Sequence, residues 1–88
     1  MDLAKIKVMM NLANSGQDDF VTNWANMAYQ TLYEQGVSKT YLDSADASYV
    51  IAKIATDLIE DGNLTSTSLS LIATLRANHQ HAEDQNNV

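Results

Sequence analysis

Hydrophobic residues recur at spacings of three and four along most of the chain, the pattern of amphipathic helices. Gly16, Gly36 and Gly62 divide the chain into four such segments, and no proline interrupts any of them. Glycine commonly ends helices because it adopts left-handed backbone angles without steric cost. The pattern therefore predicts four helices, roughly at residues 2–14, 18–35, 44–61 and 66–81.

Each predicted helix has one apolar stripe, and the stripe of the second helix is the strongest. Its Trp24 is expected to be a fully buried core aromatic. The predicted core residues are Leu3, Ile6, Met10 and Ala13; Phe20, Trp24, Met27, Ala28 and Leu32, broadened by Val21, Ala25 and Thr31; Ala47, Val50, Ile51, Ile54, Ala55 and Leu58; and Leu69, Ile72, Ala73 and Leu75 or Arg76.

Short polar residues suited to cap helix N-termini precede three of the segments. Leu64 and Leu69 lie on either side of the last cap and are expected to pack together as a hydrophobic staple. Residues 37–43 are expected to form a loop or a single helical turn. The predicted caps are Asp2, Asp43 or Ser44, and Thr65. The hydroxyl residues expected on the solvent side of the last helix are Ser66, Thr67, Ser68, Ser70 and Thr74.

Four amphipathic segments with short connections predict an all-α fold, an antiparallel four-helix bundle. The alternative is a three-helix core with the first helix lying across it. A chain of 88 residues makes one domain, which we place at residues 1–81. Residues 82–88 are polar and are expected to fray.

The charge balance is five basic against eleven acidic residues, a formal net charge of −6. Nucleic acid is disfavoured as a ligand, because affinity for phosphates comes mainly from clustered Lys and Arg. An acidic surface suits a basic protein partner or simply solubility. With no cysteine and no N-terminal apolar run long enough for a signal peptide or membrane span, a cytoplasmic location is expected.

The residues that carry chemistry form no catalytic motif, so the sequence favours a protein that is not an enzyme and needs no cofactor. His79 and His81 lie two residues apart, about 200° around a helix, which does not suit a shared metal ion.

Three acidic residues lie together near a helix C-terminus, namely Asp57, Glu60 and Asp61. They form either a solvated face or an acidic patch for a basic partner. Tyr29 and Tyr33 indicate an amphipathic rim or an interface.

The stretch "SYVIAKIATDLIEDGNLTSTSLSLIATL", with a helix, a short polar turn and a Leu-rich helix, resembles the immunity proteins for pediocin-like (class II) bacteriocins over residues 48–76. The resemblance implies a cytoplasmic protein that protects the producer cell. It would engage the membrane components of the mannose-type sugar phosphotransferase that serve as bacteriocin receptor, directly or through the bound bacteriocin. It also implies recognition by the last helix and tail, around Arg76, His79 and His81.

Two other functions remain open from the residues alone. One is a small acidic inhibitor or adaptor that binds a basic protein surface through Asp57, Glu60 and Asp61. The other is a homodimeric structural bundle, since a chain of this size leaves apolar surface to cover. The chain is therefore expected to be a monomer or a homodimer with a protein partner.

Overall fold

A computed structural model of the protein describes residues 1–11 and 18–79, and every regular element in these ranges is helical. The all-α prediction is confirmed. The elements are α1 (Leu3–Met9), α2 (Asp18–Glu34), α3 (Lys39–Leu42), a 3-10 turn (Ala45–Ala47), α4 (Ser48–Asp61) and α5 (Ser66–Asn78).

The predicted helices are found with changed ends. The first helix ends at Met9 rather than at residue 14, and residues 12–14 lie outside the described part of the chain. The segment at 37–43 contains one helical turn, α3, as one of the two expected alternatives. The expected tail at 82–88 also lies outside the described residues.

Two of the three predicted caps are confirmed. The Asp2 side chain accepts a hydrogen bond from the Lys5 amide at 3.1 Å, and the Thr65 hydroxyl accepts one from the Ser68 amide at 3.2 Å. The prediction that Asp43 or Ser44 caps the third long helix is wrong. A 3-10 turn follows Ser44, the Ser44 hydroxyl donates to the Tyr41 carbonyl, and α4 begins after Ala47 without a side-chain cap.

The core lies where α4 packs against α1, α2 and α5. The stripe predicted on α4 is buried, with only Leu58 partly exposed. The buried apolar residues are Ile6, Val21, Ala25, Ala28, Leu32, Val37, Leu42, Ala47, Val50, Ile51, Ala52, Ile54, Ala55, Ile72 and Leu75.

The buried face of α2 is narrower than the predicted one, although all four of its residues belong to the predicted core. Its buried residues are Val21, Ala25, Ala28 and Leu32, so the prediction that Trp24 is fully buried is wrong, and Trp24 is only partly buried. Phe20 and Met27 are 40% and 52% exposed. Small side chains on the buried face allow the α2 backbone to approach the isoleucine-rich α4 closely, and the larger residues then fall at the edge of the contact.

On α5, the burial of two neighbouring side chains is the reverse of the prediction. Ser68, expected on the solvent side, is fully buried, and Leu69, expected in the core, is 51% exposed. The hydroxyl of Ser68 is buried because it has a partner inside the protein, the carboxylate of Asp57. That contact defines the junction of α4 and α5.

Candidate functional site

The junction of α4 and α5 is organised around the carboxylate of Asp57, which is 3% exposed. One of its oxygens accepts hydrogen bonds from the Thr65 amide at 3.2 Å, from the Thr65 hydroxyl at 2.9 Å and from the Ser68 hydroxyl. The other oxygen accepts from the Lys53 ammonium at 3.0 Å. A single side chain on α4 thus holds the N-cap and the first turn of α5.

These donors determine the charge state of Asp57. Burial alone would raise its pKa, but the hydrogen bonds from Ser68, Lys53 and Thr65 together outweigh burial and lower the pKa to about 2. Asp57 is therefore a carboxylate at neutral pH and a poor proton acceptor, which does not suit general base catalysis. Its arrangement serves the fold.

The acidic residues that were expected to act together are separated by the fold. Asp57 is buried, so the expectation that it shares a solvated face with its neighbours is wrong. Glu60 and Asp61, in the last turn of α4, are exposed. Asp61 lies one helical turn beyond Asp57, past the end of the core, and its side chain meets solvent. An acidic patch here would include Glu60 and Asp61 without Asp57.

Arg76 lies across the turn that ends α2. Its guanidinium donates to the Gln35 carbonyl at 3.3 Å, and its side chain passes over Gly36. A Cβ added to Gly36 would lie 2.9 Å from the Arg76 Cδ, and the Gly36 φ of +104° is itself one that L residues rarely adopt. Arg76 is exposed, but it also joins α5 to α2.

His79 ends α5 and is held against α3. Its ring stacks on the Tyr41 ring, with the centroids 4.0 Å apart and the planes at 15°. The Ser38 amide donates to the His79 carbonyl at 2.6 Å. His81, the third residue expected to recognise a partner, lies outside the described residues. Over residues 1–11 and 18–79, no three His, Asp or Glu side chains form a group that could hold a metal ion.

Tyrosines line two shallow surface depressions. Tyr29 and Tyr33, with Gln30 and Lys39, line one of about 180 Å³. The Tyr29 hydroxyl donates to the Asp43 carboxylate at 2.7 Å, and burial together with this contact raises the Tyr29 pKa to about 12. The second depression, of about 140 Å³, is lined by Met9, Tyr49, Ala52, Lys53 and Thr56.

Sequence reasoning missed the buried role of Asp57, although a signal for it was present. Asp57 lies three residues after Ile54 and seven after Val50, so it continues the buried stripe of α4. A charged residue on an apolar stripe requires partners. The hydroxyl-rich start of α5 supplied them.

Among the described residues, no helix combines the length and the apolar character that crossing a bilayer requires. Comparison of the chain with models of protein families, with curated proteins and with solved structures finds no match.

Proposed function

We propose that this chain is a non-catalytic immunity protein that acts in the cytoplasm of a bacteriocin-producing cell, where it engages the bacteriocin–receptor complex. The resemblance of residues 48–76 to the immunity proteins of pediocin-like bacteriocins suggests it. One observation supports it: the buried Asp57 joins the two helices of that segment into one unit. Such a unit presents the outer face of α5 to a partner without needing to fold on binding.

The finer architecture is part of this proposal. We infer that α1, α2, α4 and α5 run alternately up and down as an antiparallel four-helix bundle. The N-terminal nitrogen lies 3.2 Å from the Asp43 carbonyl, near the start of α4, and Met9 lines a depression with Thr56, further along α4. These contacts support the same direction for α1 and α4, the first and third helices, as an up-and-down bundle requires. The contact of Arg76 with Gln35 supports parallel courses for α2 and α5.

A protection assay tests the function. The chain is expressed in the cytoplasm of a bacterium sensitive to pediocin-like bacteriocins, and killing curves are compared across a panel of them. We expect a selective rise in the lethal dose for one or two bacteriocins. No rise for any of them, with soluble expression verified, would contradict the proposal.

Two charge-matched variants locate the recognition surface within the same assay. Arg76→Ala removes an exposed cation from the resembling segment, and Lys39→Ala removes one from α3, outside it. We expect Arg76→Ala to reduce protection and Lys39→Ala to retain it. Thermal unfolding of both variants separates lost recognition from lost stability, because Arg76 also contacts Gln35. Equal protection by both variants would remove Arg76 from the recognition surface.

A further inference from the structure

Three large apolar side chains on α2 lie on one face of the helix, at the edge of the core. Phe20, Trp24 and Met27 are spaced by four and three residues, and together we call them the α2 stripe. Phe20 is 40% exposed, Met27 is 52% exposed and Trp24 is partly buried. The rings of Phe20 and Trp24 are neighbours, with centroids 6.4 Å apart. Aromatic residues and methionine are the side chains enriched at protein interfaces.

The α2 stripe is not the part of α2 that forms the core. Val21, Ala25, Ala28 and Leu32 are 0–1% exposed and fill that contact on a different face. The apolar area of Phe20 and Met27 that stays exposed therefore contributes little to stability, and its contact with water is unfavourable. An exposed row of large side chains of this kind is characteristic of an interaction surface.

Leu69 is a further exposed apolar side chain, on α5. It lies seven residues before Arg76, on the same face of α5. Arg76 contacts Gln35 at the end of α2, so this face of α5 is the one on the α2 side. Leu69 is 51% exposed there.

The charged side chains that α2 itself carries are all negative. The helix carries Asp18, Asp19 and Glu34 and no Lys or Arg. Asp18 forms an ion pair with Lys7, whereas Asp19 and Glu34 are exposed and form no ion pair with the described residues. Asp19 adjoins Phe20 in sequence, and Glu34 lies two turns after Met27 on the same face. Carboxylates therefore lie at both ends of the apolar row.

We propose that the α2 stripe is a docking surface for a basic amphipathic helix of a partner protein. The stripe spans two helical turns, about 10 Å, the length over which one helix lays an apolar row on another. Lysines or arginines flanking that row on the partner would meet Asp19 and Glu34. A second copy of this chain would instead bring carboxylates together, and each copy carries a net charge of −6.

The inference rests on the proposed function only in requiring that the chain acts by binding a protein. The docking proposal and the proposed function can therefore be contradicted independently, because the binding experiment uses no bacteriocin and the protection assay uses no peptide. The probe is a synthetic amphipathic helix made of leucine and lysine, and the control probe has glutamate in place of lysine. Trp24 is the only tryptophan in the chain, so its fluorescence reports directly on the surface.

We expect the Leu–Lys helix to shift Trp24 emission to shorter wavelength and to bind less tightly as salt rises. The Leu–Glu helix should bind at least about tenfold more weakly. Met27→Lys should weaken binding of the Leu–Lys helix by at least about tenfold, since interface cores tolerate charge poorly. Tyr49→Lys, at a side chain 59% exposed on α4, is the matched control and should leave binding unchanged.

Three outcomes would overturn the inference. One is equal binding of the two probes, and a second is equal loss of binding in the Met27→Lys and Tyr49→Lys variants. The third is a dimer in sedimentation that Met27→Lys dissociates, which would assign the surface to a second copy of the chain. Circular dichroism of each variant verifies that it is folded before binding is measured.

Discussion

The Ser68 hydroxyl donates a hydrogen bond to the Asp57 carboxylate, and both side chains are almost fully buried where α4 gives way to α5. The two lie eleven positions apart in the sequence. The bond crosses the turn at Gly62, whose left-handed backbone (φ 67°) ends α4. The direction in which α5 leaves α4 therefore depends on a polar contact as well as on apolar packing.

Asp57→Asn should destabilise the protein at neutral pH by about 2 kcal/mol, because the hydrogen bonds to a charged acceptor are lost. The folded-state pKa of Asp57 is about 2, below the ordinary 3.8. The stabilisation that its charge provides is therefore complete above pH 3.8 and is lost as the pH falls through about 2. The difference in unfolding free energy between wild type and variant should narrow over that interval in urea titrations.

Asp61→Asn is the control for this measurement, since it removes the same charge from an exposed position in the last turn of α4. It should change the free energy of unfolding by no more than about 0.5 kcal/mol. A difference between wild type and Asp57→Asn that does not vary with acid pH would contradict the assigned role of the Asp57 charge.

Ser68→Ala should cost about 1–3 kcal/mol of stability, because it removes one donor from a buried carboxylate. Ser70→Ala, two residues further along α5 and exposed, should be nearly neutral. Chemical unfolding of the two variants gives the comparison. Equal stability of Ser68→Ala and Ser70→Ala would show that the buried hydroxyl contributes nothing.

Gly36→Ala should cost about 1–3 kcal/mol, because alanine is strained at a φ of +104° and its Cβ would meet Arg76. Gly62→Ala has only the backbone cost, about 1 kcal/mol, since no atom lies within 4 Å of the added Cβ. The cost of Gly36→Ala should fall in an Arg76→Ala background, as measured by a double-mutant cycle. An unchanged cost would place the whole effect in the backbone.

Leu32→Ala should destabilise the protein by about 2–5 kcal/mol, since Leu32 is fully buried. Trp24→Ala should cost less, about 1–2 kcal/mol, because Trp24 is only partly buried. Met27→Ala should lie within about 0.5 kcal/mol of wild type. Thermal or urea unfolding ranks the three, and a Trp24→Ala cost equal to that of Leu32→Ala would mean that the wrong face of α2 is assigned to the core.

The sequence was sufficient to predict the helical class, two N-caps and the buried stripe of α4. These features depend on local chemistry, such as the side chain of Asp2 or Thr65, or on a stripe as strong as the one around Ile54. On α2 the four buried residues were all among the predicted core residues, but Phe20, Trp24 and Met27 were placed in the core with them. Only tertiary contact decides between side chains such as Ala25 and Met27.

The candidate site was harder to predict than the fold, because its contacts join distant parts of the chain. Asp57 was expected on a solvated face or in an acidic patch, and Arg76 was assigned to partner recognition through the resemblance alone. Asp57 is buried by donors eight to eleven residues away, and Arg76 contacts a carbonyl forty-one residues away. Local patterns in the sequence do not record such pairings.

The contacts that hold α5 at its two ends determine how this helix unfolds locally. The Asp57 carboxylate holds the first turn of α5, and the backbone bond between Ser38 and His79 holds the last. Between them, α5 adds to the core only Ile72, Leu75 and the partly buried Leu71. Breaking either end leaves little to retain the helix. Its amide protons should therefore exchange with solvent together, in one cooperative event that leaves the pairing of α2 with α4 intact.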